Sequence, residues 1–156
     1  MLGNRSFAGM LLLMLAVSSY AQTITVTNDQ GLAFGSFSQT SNTGGTVTVS
    51  NNGARSSTGA VLLVSSTCFA SIFTIATDNL SPLTITIDQP SATLSGSNGG
   101  SMALQIGTSN PASPVVSVGS PVEVFIGGTL TLAGTAANPP GIYTGNVLIT
   151  FTVNNE

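Results

Sequence analysis

The side chains that could do chemistry in this sequence are few and widely spaced. A Ser–His or Cys–His nucleophilic pair is excluded because the chain contains no histidine. A zinc site needs three or four Cys, His or carboxylate ligands, and the nitrogen and sulfur supply is one cysteine. What remains is a small set of carboxylates and arginines, namely Asp29, Asp78, Asp88, Glu123, Glu156, Arg5 and Arg55.

Asp78 and Asp88 are the carboxylates to consider as a catalytic pair. Glycoside hydrolysis needs two carboxyl groups about 5–10 Å apart. These aspartates flank a predicted loop-and-strand unit, and nothing in their spacing brings them together. Asp78-Asn79 alone is also too little for a calcium site, which needs a cluster of oxygen ligands. We interpret both as exposed turn residues, and we predict a protein that is not an enzyme, with no catalytic, cofactor or metal site.

Three further side chains could contact a ligand, and each has a structural alternative. Arg55 could grip a carboxylate or a sugar, or it could end a turn or pair with an acid within the fold. Cys68 is the only cysteine, so it is either a small buried apolar residue or a thiol for an intermolecular bond. Tyr143 could stack on a sugar ring, or lie in the core with its hydroxyl satisfied.

The scarcity of charge limits the possible partners. Charged residues make up 4% of the chain, against about 25% in typical soluble domains. Arg55 is the only basic residue after position 21. A nucleic acid or an anionic membrane would therefore find no basic patch. Ser, Thr, Asn and Gly must make the surface polar instead.

Residues 1–21 have the features of a cleaved signal peptide. Arg5 supplies a short positive region, Phe7 to Val17 is apolar, and Ser19-Tyr20-Ala21 places small residues at the cleavage positions. The apolar run is shorter than the about 20 residues of a membrane span, although a retained N-terminal anchor is the alternative. No second run of spanning length follows. We predict a secreted or cell-surface protein with a single domain at 22–156.

The elements that position these side chains are predicted strands, and the stretch 141–153 has the most regular pattern. Large apolar residues alternate there with threonine and asparagine, with Leu148 as the one large apolar residue on the polar face. This alternation predicts a half-buried β-strand. At about 3.3 Å per residue, it could extend roughly 35–40 Å.

The rest of the chain predicts eight or nine short strands. Asn51-Asn52-Gly53 is the strongest turn signal, and Ala60–Val64, apolar on both faces, predicts a central strand. Residues 107–121 predict a loop, and Gly127-Gly128 predicts a bulge or a crossover between sheets. This spacing favours an all-β, immunoglobulin-like antiparallel β-sandwich with Greek-key connections. A closed barrel is the alternative.

Several segments of the sequence together resemble a known family. They are Leu32-Ala33-Phe34-Gly35, Gly45 to Val49, Gly53-Ala54-Arg55, Phe125 to Leu130 and Gly141-Ile142-Tyr143-Thr144-Gly145. The chain is similar to a family of small secreted bacterial domains catalogued as a domain of unknown function. Its members are similar in outline to fimbrial subunits and spore-coat-like secreted domains. The resemblance implies a β-sandwich at or beyond the cell surface, with no catalytic residues to carry over.

Two functions remain open. Soluble proteins guard sheet edges with lysine, other charges, proline or bulges, and this chain has no lysine and keeps proline in predicted loops. We therefore expect an exported structural subunit that pairs with itself or another surface protein through β-strands. Ile24 and Val26 lie in the candidate donor segment 22–28, which can act as a donor only if it does not pair within its own domain. The alternative is an extracellular glycan- or ligand-binding module, on a loop-rich end formed by 107–121 and 134–141.

Overall fold

The structure, a computed structural model, describes residues 23–154 and contains strands but no helix in that range. The predicted signal peptide, residues 1–21, lies outside the described residues. All strand pairs are antiparallel, which confirms the predicted all-β class. The strands are β1 (Ile24–Gln30), β2 (Phe37–Gln39), β3 (Gly45–Val49), β4 (Arg55–Gly59), β5 (Val61–Leu63), β6 (Ser71–Thr77), β7 (Leu83–Ile87), β8 (Ser91–Gly96), β9 (Ser101–Asn110), β10 (Val115–Val116), β11 (Val122–Leu132), β12 (Tyr143–Thr144) and β13 (Phe151–Asn154).

One eight-stranded sheet carries most of these strands. Its main path is β1-β6-β11-β9-β8-β12, and β3 and β4 join it beside β11. β11 is the central strand: its first half pairs with β6, its second half pairs with β3, and β9 pairs along its other edge. Two smaller sheets have the orders β10-β7-β13 and β2-β5.

Gly127 is the point at which β11 changes partner, because residues up to Ile126 pair with β6 and residues from Gly128 pair with β3. The register against β9 shifts between Ile126 and Gly128. A Cβ atom on Gly127 would overlap the carbonyl oxygen of Val49. The predicted bulge is therefore confirmed, and the glycine is required by the close approach of the β3 backbone.

Both larger sheets contribute to one hydrophobic core. Alternate residues of β11, β9, β3 and β7 are buried in it, as expected from a period of two. The polar face of the large sheet carries threonines that bond across strands, with Thr46–Thr58 hydroxyl oxygens 2.7 Å apart and Thr48–Thr129 hydroxyl oxygens 2.9 Å apart. Hydroxyl groups thus take the place that charged side chains hold on most sheet surfaces.

The C-terminal stretch is not the single long strand that its alternation predicts. Its start, β12, pairs with β8 of the large sheet, whereas its end, β13, pairs with β7 of the three-stranded sheet. Residues 145–149 cross between the sheets without a backbone hydrogen bond to the described chain. The predicted faces are nevertheless right, because Val147 and Ile149 pack against the core and Leu148 is 84% exposed.

Of the other predicted segments, one turn is confirmed and one central strand is wrong. The turn at Asn51-Asn52-Gly53 is confirmed, with a φ of 81° at the glycine and its N–H donating to the Ser50 carbonyl. The segment Ala60–Val64 is not a central strand. Only three of its residues form β5, which pairs with β2 alone among the described strands, and Leu62 and Val64 are exposed. The predicted loop 107–121 contains the end of β9 and all of β10.

We expect Gly127→Ala to lower the free energy of unfolding by about 1–3 kcal/mol, because the added methyl group must displace the β3 backbone. Gly107→Ala, in the neighbouring strand β9, is the matched control, since its Cβ would lie 3.5 Å from the nearest atom. Denaturant unfolding of both variants measures the difference. Equal stability of the two would contradict the role assigned to Gly127.

Candidate functional site

β1 forms one border of the large sheet and is the longest edge strand in the described chain. It pairs with β6 on one side, and no other described strand lies on its outer side. Its side chains are mostly exposed, and Val26 is 39% exposed. An edge of this kind presents unpaired N–H and C=O groups to solvent.

The ladder with β6 determines which backbone groups of β1 point outward. The N–H of Asp78 donates to the carbonyl of Thr23, so this residue pair is a hydrogen-bonded one. Hydrogen-bonded and non-hydrogen-bonded pairs alternate along an antiparallel ladder. The backbones of Thr25 and Thr27 therefore face β6, and the outward N–H and C=O groups belong to Ile24, Val26 and Asn28.

The regular part of this edge is short and free of charge. The register with β6 is irregular between Asn28 and Gln30. Asp29, the only charged residue of β1, lies in that irregularity and accepts a hydrogen bond from the hydroxyl of Thr74. The usable edge is therefore residues 24–28, centred on Val26, and we call these five residues the β1 edge.

Residues 22–28 are a candidate donor segment only if they do not pair within their own domain, and the described part of the segment does pair there. Residues 24–28 pair with β6 of their own domain, and Thr23 is tied to Asp78, whose carboxylate accepts its N–H at 2.9 Å. Ile24 also packs against the core. The segment is therefore already paired within its own domain. A partner chain could only add a strand of its own along the outer side of β1.

Arg55 lies on β4, which forms another edge of the large sheet, and its side chain binds a neighbouring loop. Its guanidinium Nη1 donates to the carbonyl of Phe34 at 2.7 Å and lies 3.4 Å from that of Ser36. On the same strand, the hydroxyl of Ser57 donates to the carbonyl of Val61. Arg55 is therefore structural, as one alternative predicted, but it binds backbone carbonyls and not an acid.

The two aspartates considered as a catalytic pair each accept a backbone N–H beside the start of a different strand. Asp78 holds the start of β1, and Asp88 accepts the N–H of Thr150 at 2.6 Å just before β13. Asp78 lies between β6 and β7, and Asp88 lies between β7 and β8. Both are exposed, which agrees with their interpretation as turn residues. Among residues 23–154, no three His, Cys, Asp or Glu side chains group as metal ligands.

Cys68 and Tyr143 are both half-buried and packed against the core. The thiol of Cys68 is directed at the carbonyl of Gly53 at 3.6 Å. The hydroxyl of Tyr143 donates to the carbonyl of Pro139 at 2.7 Å, which is the structural alternative predicted for this tyrosine. Within the described range, no helix is long and apolar enough to cross a membrane.

A second feature is a groove of about 880 Å³ between segments 31–39 and 138–147. No charged residue lines it. Part of its apolar lining comes from β8, β9 and β11, with Leu94, Met102, Leu104 and Leu130, and the rest comes from the two flanking segments. We refer to this cavity as the groove.

Polar groups also line the groove beside these apolar side chains, and Gln39 is one of the residues that carry them. The side-chain oxygen Oε1 of Gln39 is buried and has no hydrogen-bond partner in the described chain. Residues 145–147, on the opposite wall, belong to the crossing segment without backbone hydrogen bonds. A ligand with both donors and an apolar portion fits this mixture of groups.

The two loops proposed to form one ligand-binding end do not meet. Residues 107–121 precede β11 and residues 134–141 follow it, and an 11-residue strand separates its ends by about 35 Å. Only the second loop borders the groove. The sequence offered no sign of the groove, because its two walls are about 100 residues apart in the chain.

Comparison with known proteins identifies a family but no activity. A family model described as a domain of unknown function (DUF4402) matches residues 24–154. This match confirms the resemblance to a family of unknown function that the sequence motifs indicated. No curated protein and no solved structure matches the chain.

We expect Arg55→Met to destabilise the fold by about 1–2 kcal/mol, because it removes a charged donor from two carbonyls while keeping the apolar stem. Arg55→Lys should lose less, since one ammonium donor can still reach a carbonyl. Thermal and denaturant unfolding provide the measurement. An Arg55→Met variant as stable as the parent would show that the guanidinium does not support the β4 edge.

Proposed function

We propose that this chain, which belongs to the DUF4402 family, is a non-catalytic, exported structural subunit of the cell surface that associates through β-strand pairing. The β1 edge carries the proposal. It offers three outward-facing residues with unpaired backbone groups, and it contains no lysine, arginine or proline. Edges with these properties accept strands from other chains.

The comparison with the β4 edge supports the choice of β1. Side chains of β4 reach over to the neighbouring backbone and occupy its carbonyls. No side chain among the described residues covers the β1 edge in this way, and the one acid of β1 lies beyond the regular ladder. Pairing there would satisfy backbone groups without burying a charge. Burying an ionised side chain carries a desolvation penalty of several kcal/mol, and the β1 edge avoids it.

Export and the finer architecture belong to the same proposal. The signal-peptide features of residues 1–21 and the near absence of charge support a secreted, fimbrial-subunit-like role. Core residues from both larger sheets form one cluster, which supports an immunoglobulin-like sandwich with Greek-key connections.

We expect Val26→Pro to abolish association, because proline removes the outward N–H at the centre of the β1 edge. The ladder to β6 should survive, since the backbone of Val26 does not bond to β6. Val26→Ala is the matched control, because it shortens the same side chain but keeps the N–H. Sedimentation velocity over a concentration series provides the measurement, with circular dichroism to confirm folding.

The proposal fails if Val26→Pro and Val26→Ala associate to the same extent. It also fails if the parent chain sediments as a monomer at every concentration, both alone and mixed with a surface-protein extract.

The groove supports a second candidate function, an extracellular module for an uncharged ligand. Its lining contains no charged residue, and its apolar residues beside the Gln39 amide and the unpaired backbone of residues 145–147 suit a neutral glycan or an uncharged peptide. This site replaces the loop-rich end that the sequence indicated.

We expect neutral oligosaccharides or uncharged peptides to shift NMR resonances of segments 31–39 and 138–147. Gln39→Leu should weaken binding by roughly two- to tenfold, because it removes the side-chain amide that lines the groove as a hydrogen-bonding partner. Gln105→Leu, on the opposite face of the large sheet, should not. Shifts confined to residues 107–121, or none with either probe class, would remove this candidate.

A further inference from the structure

We infer that the strand received by the β1 edge is the β1 edge of a second copy, paired antiparallel about a two-fold axis at Val26. The inference rests on the proposed function and adds the partner and the register. The regular part of β1 runs from Ile24 to Asn28, so Val26 is its midpoint. A segment that is symmetric about one residue can pair with itself without leaving an overhang.

The direction of the backbone groups selects this register. In an antiparallel pair, hydrogen-bonded positions of one strand must face hydrogen-bonded positions of the other. The outward residues of β1 are the even-numbered ones, so Val26 faces Val26 of the second copy and Ile24 faces Asn28. Each hydrogen-bonded pair exchanges two bonds, and three such pairs form. A shift by one residue would direct inward-facing groups at the partner, and a shift by two would lose a pair.

The side chains are compatible with the same arrangement. Val26 and Ile24 lie on the face of the sheet that carries the buried Ile75 and Thr77. Two copies of Val26 would therefore cover each other and remove the exposed fraction of this side chain from water. On the other face, Thr25 would oppose Thr27 of the second copy, and cross-strand threonine pairs already occur within this domain.

Charge does not oppose the pairing. Asp29 is the only charged side chain of β1. In the register centred on Val26 it lies opposite Thr23 of the second copy, so the two carboxylates are not opposed. Like charges directly across strands are destabilising, and this register avoids them without any lysine or arginine to compensate.

The two-fold symmetry predicts that this contact joins two copies and does not by itself extend into a filament. An isologous contact uses the same patch on both copies, so neither copy keeps a free β1 edge. The two eight-stranded sheets would become continuous across the axis. Five residues on each side form a small interface beside the about 1,200–2,000 Å² of stable complexes. We therefore expect a weak dimer that forms at high protein concentration.

A charge-swap experiment tests both partner and register, using the chain from residue 22 onward. Val26→Lys and Val26→Glu should each dimerise at least tenfold more weakly than the parent, because the axis places two like charges side by side. An equimolar mixture should restore dimers that contain one copy of each, because lysine then faces glutamate. Analytical ultracentrifugation with one variant carrying a fluorescent label measures homodimers and mixed dimers separately.

Disulfide trapping provides a second reading of the register in a Cys68→Ser background. Thr25 and Thr27 of two copies form a non-hydrogen-bonded pair, whose Cα atoms lie about 4.5 Å apart and suit a disulfide. A mixture of Thr25→Cys and Thr27→Cys should cross-link readily, whereas neither variant alone should. Rapid cross-linking of Thr25→Cys alone would overturn the register.

The outcomes separate this inference from the function it rests on. Failure of the Lys and Glu variants to form mixed dimers, while Val26→Pro still abolishes association, would overturn two-fold self-pairing and leave strand pairing with another partner intact. If the Val26→Pro variant associates as strongly as the parent chain does, both two-fold self-pairing and strand pairing at the β1 edge would be overturned.

Discussion

The backbone contact between Gly127 of β11 and Val49 of β3 is the constraint from which the arrangement of the large sheet follows. Because no side chain separates these backbones, β11 exchanges β6 for β3 along one edge and remains a single strand. β6 then continues outward to β1, while β3 continues to β4. The position of the β1 edge at the border of the sheet is a consequence of this partner exchange.

The near absence of charge acts at every level of the structure. Threonine hydroxyls bond to each other across strands where other proteins place ion pairs, and the single arginine of the described range is used to hold loop carbonyls. Within residues 23–154, no charged side chain then guards the regular ladder of β1. The same charge-poor composition therefore leaves an edge that can receive a strand.

Strands with strong apolar alternation could be predicted from the sequence, and strands without it could not. β3, β7, β9 and β11 follow their period-two patterns, whereas β4 and β8 consist mainly of Ser, Thr and Gly and are strands because β3 and β9 offer them paired edges. The predicted C-terminal strand had the correct faces but the wrong hydrogen bonding, since alternation reports burial and not pairing. The groove depends on walls from distant parts of the chain, and no local pattern encodes it.

The central claim is that the backbones of Ile24, Val26 and Asn28 face outward and become paired on association. Residue-resolved amide hydrogen exchange measures this directly at low and high protein concentration. The predicted result is slow exchange of Thr25 and Thr27 at both concentrations, with Val26 exchanging fast in the dilute protein and slowly in the concentrated one. Fast exchange of Val26 in a chain that has demonstrably associated would contradict the account.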